Sequence, residues 1–254
     1  MMIGSAGRTA APPLMPRAWL RYDVVRRLLD ELAPQTVLEL GCGQGSMGAR
    51  LARRAEYVGV EPDRTSWAVA ETRVGAVGGT VVRGDHTVVP PGESYDLVCA
   101  FEVLEHIEDD QAMLADWVRF VRPGGHLMLS VPAFAWRFGP MDERVGHYRR
   151  YGPEELAARL VEAGLERPRV TVYGWPLGYL LEAVRNRADR RRLAAADQPS
   201  RQERTAASGR IYQAPRPVVG RVVQVATLPF RYLQRVQPRR GVGLVVVATR
   251  PGGD

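Results

Sequence analysis

Short β-branched runs take turns with amphipathic stretches along most of this chain. TVLEL (36–40), YVGV (57–60), GTVVR (79–83), YDLVCAF (95–101), GHLMLSVP (125–132) and RVTVYGW (169–175) read as strands. Helical patterns separate them: from about Ser46 to Arg54, after Asp63, from about Asp109 to Val121, and from Pro153, with Glu154 and Glu155 in the first turn. A further helix runs from Arg17 to Leu32 through Leu20, Val24, Leu28 and Leu32, and Pro34 stops it. Each intervening helix carries the chain back across the sheet, so the rhythm predicts an open, mainly parallel sheet covered on both faces. GLVVVATR (243–250) is left over as a final apolar strand, beyond the strandless residues 176–240.

With 254 residues, 45% of them hydrophobic and 25% charged, the composition excludes collagen-like, coiled-coil and wholly disordered chains. One large domain with an insertion is expected. Its parts are an N-terminal arm and helix (1–34), a core (35–175), an Arg-rich insertion (176–240) and a final core strand with its tail (241–254). No apolar run reaches the ~18 residues of a membrane span. The N-terminus shows no apolar block before a cleavage-like site, so a soluble, cytoplasmic protein is expected. Cys42 and Cys99 lie far apart without metal-ligand spacing and read as reduced core thiols.

The strand TVLEL runs into Gly41, Gly43 and Gly45, and a helix follows. Backbone amides at such a helix start can face a ligand with no Cβ in the way, which makes a cradle of the nucleotide-cofactor type. Glu39, inside the strand, is a carboxylate whose burial costs free energy unless it is paired, and a cationic ligand tail is one such partner. Glu61 follows the second strand, where a carboxylate can accept both hydroxyls of a ribose. Asp85 follows the third strand, within reach of an adenine amino group. Taken singly, Glu61 or Asp85 is equally a helix cap or a solvated acid. A dinucleotide-binding fold fits less well, because its Gly-x-Gly-x-x-Gly pattern meets Gly41, Gly43 and Ser46, with Gly45 one place early.

VLELGCGQG, Glu61, Asp85, YDLVCAFEVLEHIED and VRPGGHLMLSVP together resemble the class I S-adenosylmethionine-dependent methyltransferases, in the subgroup of ubiquinone-biosynthesis-like enzymes and methyltransferase types 11 and 23. The resemblance covers roughly residues 35–175 in order and spacing. It implies a Rossmann-like α/β fold, a seven-stranded, mainly parallel sheet with an antiparallel last strand, for which GLVVVATR qualifies. It also implies S-adenosylmethionine as cofactor, S-adenosylhomocysteine as product and an enzyme of the EC 2.1.1.- group. By the same resemblance Glu39, Gly41, Cys42, Gly43 and Gly45 would contact the methionine part, Glu61 with Pro62 the ribose, and Asp85 with His86 the adenine edge. Phe101, Glu102 and Glu105 would form the floor beneath the sulfonium.

Methyl transfer from a sulfonium is an in-line displacement that rests mainly on positioning, worth roughly 7–11 kcal/mol, with a general base adding perhaps 10²–10⁴-fold. Candidate catalytic residues are His106, in EVLEHIED, and His147, Tyr148 and Tyr151, in GHYRRYGPEEL. Each has a plainer reading: His106 can pack its turn, and the Arg149 and Arg150 that share the second cluster can pair with acids. No metal-ligand grouping is legible, and none is expected. The fourth strand reads Cys99-Ala100-Phe101-Glu102 rather than Asn-Pro-Pro-Tyr, which disfavours adenine N6 and glutamine acceptors.

All 35 basic residues are arginine, and residues 180–240 hold 14 of them against four acids, a local charge of +10 on a mildly acidic body. One basic segment is not the profile of a chain that coats nucleic acid with its folded core. Residues 185–216 read as a partly mobile loop. That loop is open to three readings: a solvated charge run, a lid for an anionic or carrier-bound acceptor, or contact with anionic lipid or nucleic acid. The stripe Val218, Val222, Val225, Leu228, Tyr232 and Leu233 reads as core or homodimer interface before peripheral membrane contact. Two function classes stay open: a methyltransferase acting on O or N of a small molecule, and one acting on peptide or RNA or binding the cofactor without transfer.

Overall fold

The computed structural model describes residues 11–193, 200, 204–205 and 217–252. Seven strands form one sheet: β1 (Thr36–Leu40), β2 (Glu56–Glu61), β3 (Thr80–Arg83), β4 (Tyr95–Phe101), β5 (Val121–Pro132), β6 (Glu166–Gly174) and β7 (Gly241–Thr249). Their order is β3-β2-β1-β4-β5-β7-β6, and β7 alone runs antiparallel to its neighbours. This is the expected Rossmann-like sheet, with GLVVVATR as its reversed strand.

Both faces of the sheet are buried, and the alternation along each strand shows how. Leu38, Leu40, Val98, Ala100, Leu127, Leu129, Leu244 and Val246 share one core layer. Val37, Leu97, Cys99, Met128, Val245 and Val247 share the other. Successive strand side chains point to opposite faces, so near-continuous apolar strands need helices on both sides.

Nine helices among the described residues provide that cover and the cavity walls: α1 (Pro16–Leu32), α2 (Gly48–Leu51), α3 (Arg64–Gly75), α4 (Asp110–Val118), α5 (Pro140–Val145), α6 (Pro153–Glu162), α7 (Leu177–Leu193), α8 (Pro217–Ala226) and α9 (Leu228–Val236). Helix α1 buries Leu20, Val25 and Leu29 in the second layer. Asp63 caps α3 by accepting from the Ser66 amide at 2.9 Å. Cys42 and Cys99 are buried and free, and burial pushes both thiols well up.

The insertion departs from expectation in two ways. Residues 185–193 are helical, because α7 is held by its own acids: Glu182 pairs with Arg137 and Arg150, and Asp189 with Arg144. The rest of the expected loop, apart from Ser200, Arg204 and Thr205, lies outside the described residues, as do residues 1–10 and 253–254. The Val218-to-Leu233 stripe is also not core: its side chains face solvent, while Thr227 and Gln234 point inward.

Candidate functional site

The carboxyl ends of β1, β2 and β4 open into a cavity of about 600 Å³, within the range typical of small-molecule sites. Its base is the turn after β1. Gly41 sits at φ +70°, a left-handed conformation, and a Cβ there would lie 2.8 Å from Cγ2 of Val103. The loop therefore lies close against the segment after β4. Cys42, Gly43, Gln44, Ser46 and Met47 continue the wall, whereas Gly45 turns away to pack on Ala70 and Val74.

Glu39 lines the cavity floor at 2% exposure, and the Tyr57 hydroxyl donates to its Oε2 at 2.6 Å. Space for that phenol comes from Gly59, the residue paired with Glu39 across β1 and β2, where a Cβ would lie 2.5 Å from the Tyr57 oxygen. Burial pushes the Glu39 carboxyl up to about 8, the Tyr57 hydrogen bond acting in the opposite sense. Glu61, at the end of β2, accepts from the Gly43 amide at 2.8 Å and the Asp63 amide at 3.0 Å, so the glycine loop and the acid are fastened together. Pro62, Asp63 and Arg64 complete that rim.

The opposite wall follows β4. Phe101 and Glu102 line it, and Glu102 is held at φ +60°. Arg17 and Arg21 approach the Glu102 carboxylate at 3.4 and 3.3 Å, and Ser130 donates to it at 3.1 Å. Those arginines hold the carboxyl down at about 2 against the effect of burial. Pro13, Leu14, Met15 and Ala18 join them, so the N-terminal helix and its approach form the roof.

His106 and His147 face the same space, their rings edge to face with centroids 4.6 Å apart. His147 Nδ1 lies 2.7 Å from Asp142 Oδ1, which fixes the ring's orientation. Asp142 is itself gripped by the buried Arg150 at 2.6 Å. His106 Nδ1 lies 3.3 Å from the Thr205 hydroxyl, and burial, with His147 close by, lowers His106 to about 3, leaving its ring neutral. Glu105 is fully buried, and neither of its carboxylate oxygens has a hydrogen-bond partner among the described residues. Its Oε1 is 3.7 Å from His147 Nε2. Ligand atoms of Glu105, His106 and His147 all lie within 4.8 Å of one another, a grouping of a kind that can hold a divalent cation. No sequence spacing announced it, because His147 arrives from beyond β5.

The structure thus brings together Glu39, Gly41, Cys42, Gly43, Glu61, Pro62, Phe101, Glu102, His106 and His147, with Glu105 directly behind the histidines. It leaves five other expected residues outside the lining, the first being Gly45, which packs on Ala70 and Val74. Asp85 is exposed and caps a 3₁₀ turn, accepting from the Thr87 amide at 2.9 Å and hydroxyl at 2.6 Å. His86 turns to Asp116 at 3.5 Å. Tyr151, completely buried, donates to Asp110 at 2.8 Å and serves the core rather than the cavity. Tyr148 is half-buried, its amide donating to the Glu105 carbonyl at 2.8 Å. Sequence reasoning missed the roof residues of α1, together with Arg185 and Thr205 from the insertion. The +10 charge of that segment was the available signal for Arg185.

A seven-stranded Rossmann-like sheet with a glycine loop and acids at its carboxyl edge defines a cofactor-dependent class of α/β protein. Residues 15–167 match the family model described as a methyltransferase domain, and the chain belongs to that family. An uncharacterized methyltransferase of Mycobacterium sp. (strain JLS) is 34% identical over 137 residues, 53% of each chain. A ubiquinone biosynthesis O-methyltransferase of Alkalilimnicola ehrlichii is 32% identical over 116 residues, 44% of this chain and 47% of that one. The chain spans about half the length of the curated relatives it matches. Among solved structures, the N-methyltransferase NodS of Bradyrhizobium japonicum, in complex with S-adenosylhomocysteine, aligns over 91% of this chain and 86% of its own, with TM-score 0.53 and 17% identity. The [4+2]-cyclase SpnF aligns over 91% and 81%, with TM-score 0.57 and 17% identity. Both likenesses concern the fold. Among the described residues no helix is long and apolar enough to cross a membrane.

Proposed function

We propose that this chain transfers a methyl group from S-adenosylmethionine to an O or N nucleophile of a small-molecule acceptor. The observation that carries this reading is one continuous cavity with Glu39, Glu61 and the glycine loop at one end and His106 and His147 at the other. The residues fit the cofactor. Glu61 has two of its roughly four acceptor positions taken by backbone amides, so it can still receive ribose hydroxyls. Glu39 is a buried acid whose ionisation a cationic ammonium would favour. When bound, the cofactor supplies an electrophilic methyl group on a sulfonium that is already a good leaving group.

The chain's part is orientation and proton handling. Phe101 and Glu102 line the wall that cofactor and acceptor would share, and α1 with its approach roofs it. His147, oriented by Asp142, is placed to take the proton an acceptor O–H or N–H loses, while His106, lowered to about 3 by burial, is too weak a base for that step and serves to shape the same wall. Arg17 and Arg21 share the single carboxylate of Glu102 and Arg185 lines the same cavity, an excess of positive charge that supports an acceptor bearing a carboxylate or phosphate, free or carrier-bound. Incubation with S-adenosylmethionine and a panel of anionic phenols and amines, followed by detection of S-adenosylhomocysteine, tests the reading. Absence of calorimetric heat for both cofactor forms would overturn it.

The Glu105, His106 and His147 grouping favours a second reading, in which a divalent cation assists the same transfer. Glu105 has unpartnered oxygens to offer, and Asp142 would orient His147 from behind, as carboxylates commonly do for metal-bound histidines. A cation there would supply Lewis acidity towards an acceptor oxygen.

A further inference from the structure

Helices α8 and α9 turn most of their apolar side outward, although Phe230 still packs partly against the second core layer. Val218, Val222, Val225, Tyr232 and Val236 are 63–76% exposed, whereas the buried positions of this pair and its junction are Gly220, Thr227 and Gln234. The polar side is pinned and cannot roll outward. Gln234 accepts from the Gly174 amide at 3.0 Å and donates to the Leu20 carbonyl at 3.1 Å, and Arg235 pairs with the buried Asp23 at 2.7 Å. An amphipathic pair held with its apolar face to water leaves that face for something else to cover.

Charge identifies the occupant. Residues 217–240 contain no acid; the exposed Arg221 precedes Val222 on α8, and the exposed Arg239 and Arg240 follow α9. A second copy would bring arginines against arginines. A negatively charged lipid surface offers acyl chains to the valines and headgroups to the arginines at once. We propose that α8 and α9 dock this protein on anionic membranes, lying in the interface plane. Each helix is only two to three turns long and does not span. The helix pair also adjoins the cavity roof, since Gly220, on its buried side, packs against Pro13, one of the roof residues. A lipid-borne acceptor would then meet the cavity at the membrane surface, an extension that rests on the proposed methyl transfer, whereas the docking itself does not.

The test uses the full chain with vesicles of phosphatidylcholine alone or with about a third phosphatidylglycerol, in a sedimentation assay. Binding to the phosphatidylglycerol vesicles is expected, at least tenfold weaker on neutral vesicles and at high salt, where exposed charges are screened. The double variant Val222→Asp/Tyr232→Asp changes only exposed positions and should lower binding at least tenfold, with circular dichroism and calorimetric S-adenosylhomocysteine binding unchanged. No binding to anionic vesicles at low salt overturns the proposal. So does undiminished binding of the double variant, or a dimer in ultracentrifugation that this variant converts to monomer.

Discussion

Tyr57 holds Glu39 from below the cavity floor: its hydroxyl donates to Oε2 at 2.6 Å, through space left by the absent side chain of Gly59. The acid is thereby kept in place without being ionised, since burial raises it from 4.5 to about 8. Between those two values the folded protein holds a proton that the unfolded chain releases. Glu39 therefore contributes stability fully below about 4.5, and that contribution is lost as pH rises towards 8. Cofactor binding should run the other way. An ammonium beside Glu39 expels the proton, so affinity for S-adenosylmethionine should rise between pH 6 and 8, with a limiting slope of about tenfold per unit. Titration calorimetry in buffers of different ionisation enthalpy should show proton release, and Glu39→Gln should abolish both effects. A pH-independent affinity in the native protein would remove Glu39 from the ammonium role.

Glu61 ties the glycine loop to the end of β2 and offers its remaining acceptor sites to the cavity. Glu61→Ala should weaken binding of S-adenosylmethionine and S-adenosylhomocysteine alike by about 1.5–3 kcal/mol, the range for hydrogen bonds to a charged group. Equal affinities for variant and native protein, measured by calorimetry, would exclude the ribose contact.

Asp142 satisfies His147 and the fully buried Arg150 together. Asp142→Ala leaves Arg150 with Glu182 as its remaining partner, and unfolding in urea should show a loss of about 3–5 kcal/mol. His147→Ala removes the smaller part of the network. It should cost clearly less stability while lowering turnover on a hydroxyl acceptor by 10²-fold or more. A reversed order of the two stability losses would contradict the arrangement described.

The three clustered ligand atoms of Glu105, His106 and His147 can be probed directly with Mn²⁺ and Zn²⁺. If a cation assists the reaction, one site per chain should appear by calorimetry and vanish in Glu105→Ala, and a chelator should depress turnover reversibly. Activity indifferent to chelator, together with the absence of one-site binding, would leave only the metal-free reading.

The sheet and the cofactor end were largely legible in the sequence, because both are written in local patterns. Alternating apolar runs specify strands, and Gly41, Gly43 and Glu61 sit at fixed offsets from strand ends. The acceptor end was legible in part: EVLEH and GHYRRY stood out as motifs, but only the fold separates His147, which reaches the cavity, from Tyr151, which bonds Asp110 in the core. Tyr57 was invisible as a partner of Glu39, since their meeting depends on the β1–β2 register. From residue 185 onward the sequence of α7 has no apolar periodicity, so its helical state is not legible there. Glu182 and Asp189 hold it through arginines some 45 residues earlier in the chain. The stripe on α8 and α9 had the period of a core helix and the opposite placement, decided by Thr227, Gln234 and Asp23.

Strand β7 pairs antiparallel with β6, so that Gly174 and Gly241 face each other and residues 175–240 leave and re-enter the sheet at one point. A segment tethered in this way behaves as a cartridge. Its length can change without moving a strand as long as Glu182 remains for Arg150 and Arg235 for Asp23, and the family match at residues 15–167 ends just short of it. A graft of 175–240 would have to carry Arg137, Arg144, Arg150 and Asp23 with it, because the segment is plugged into the body through those four residues.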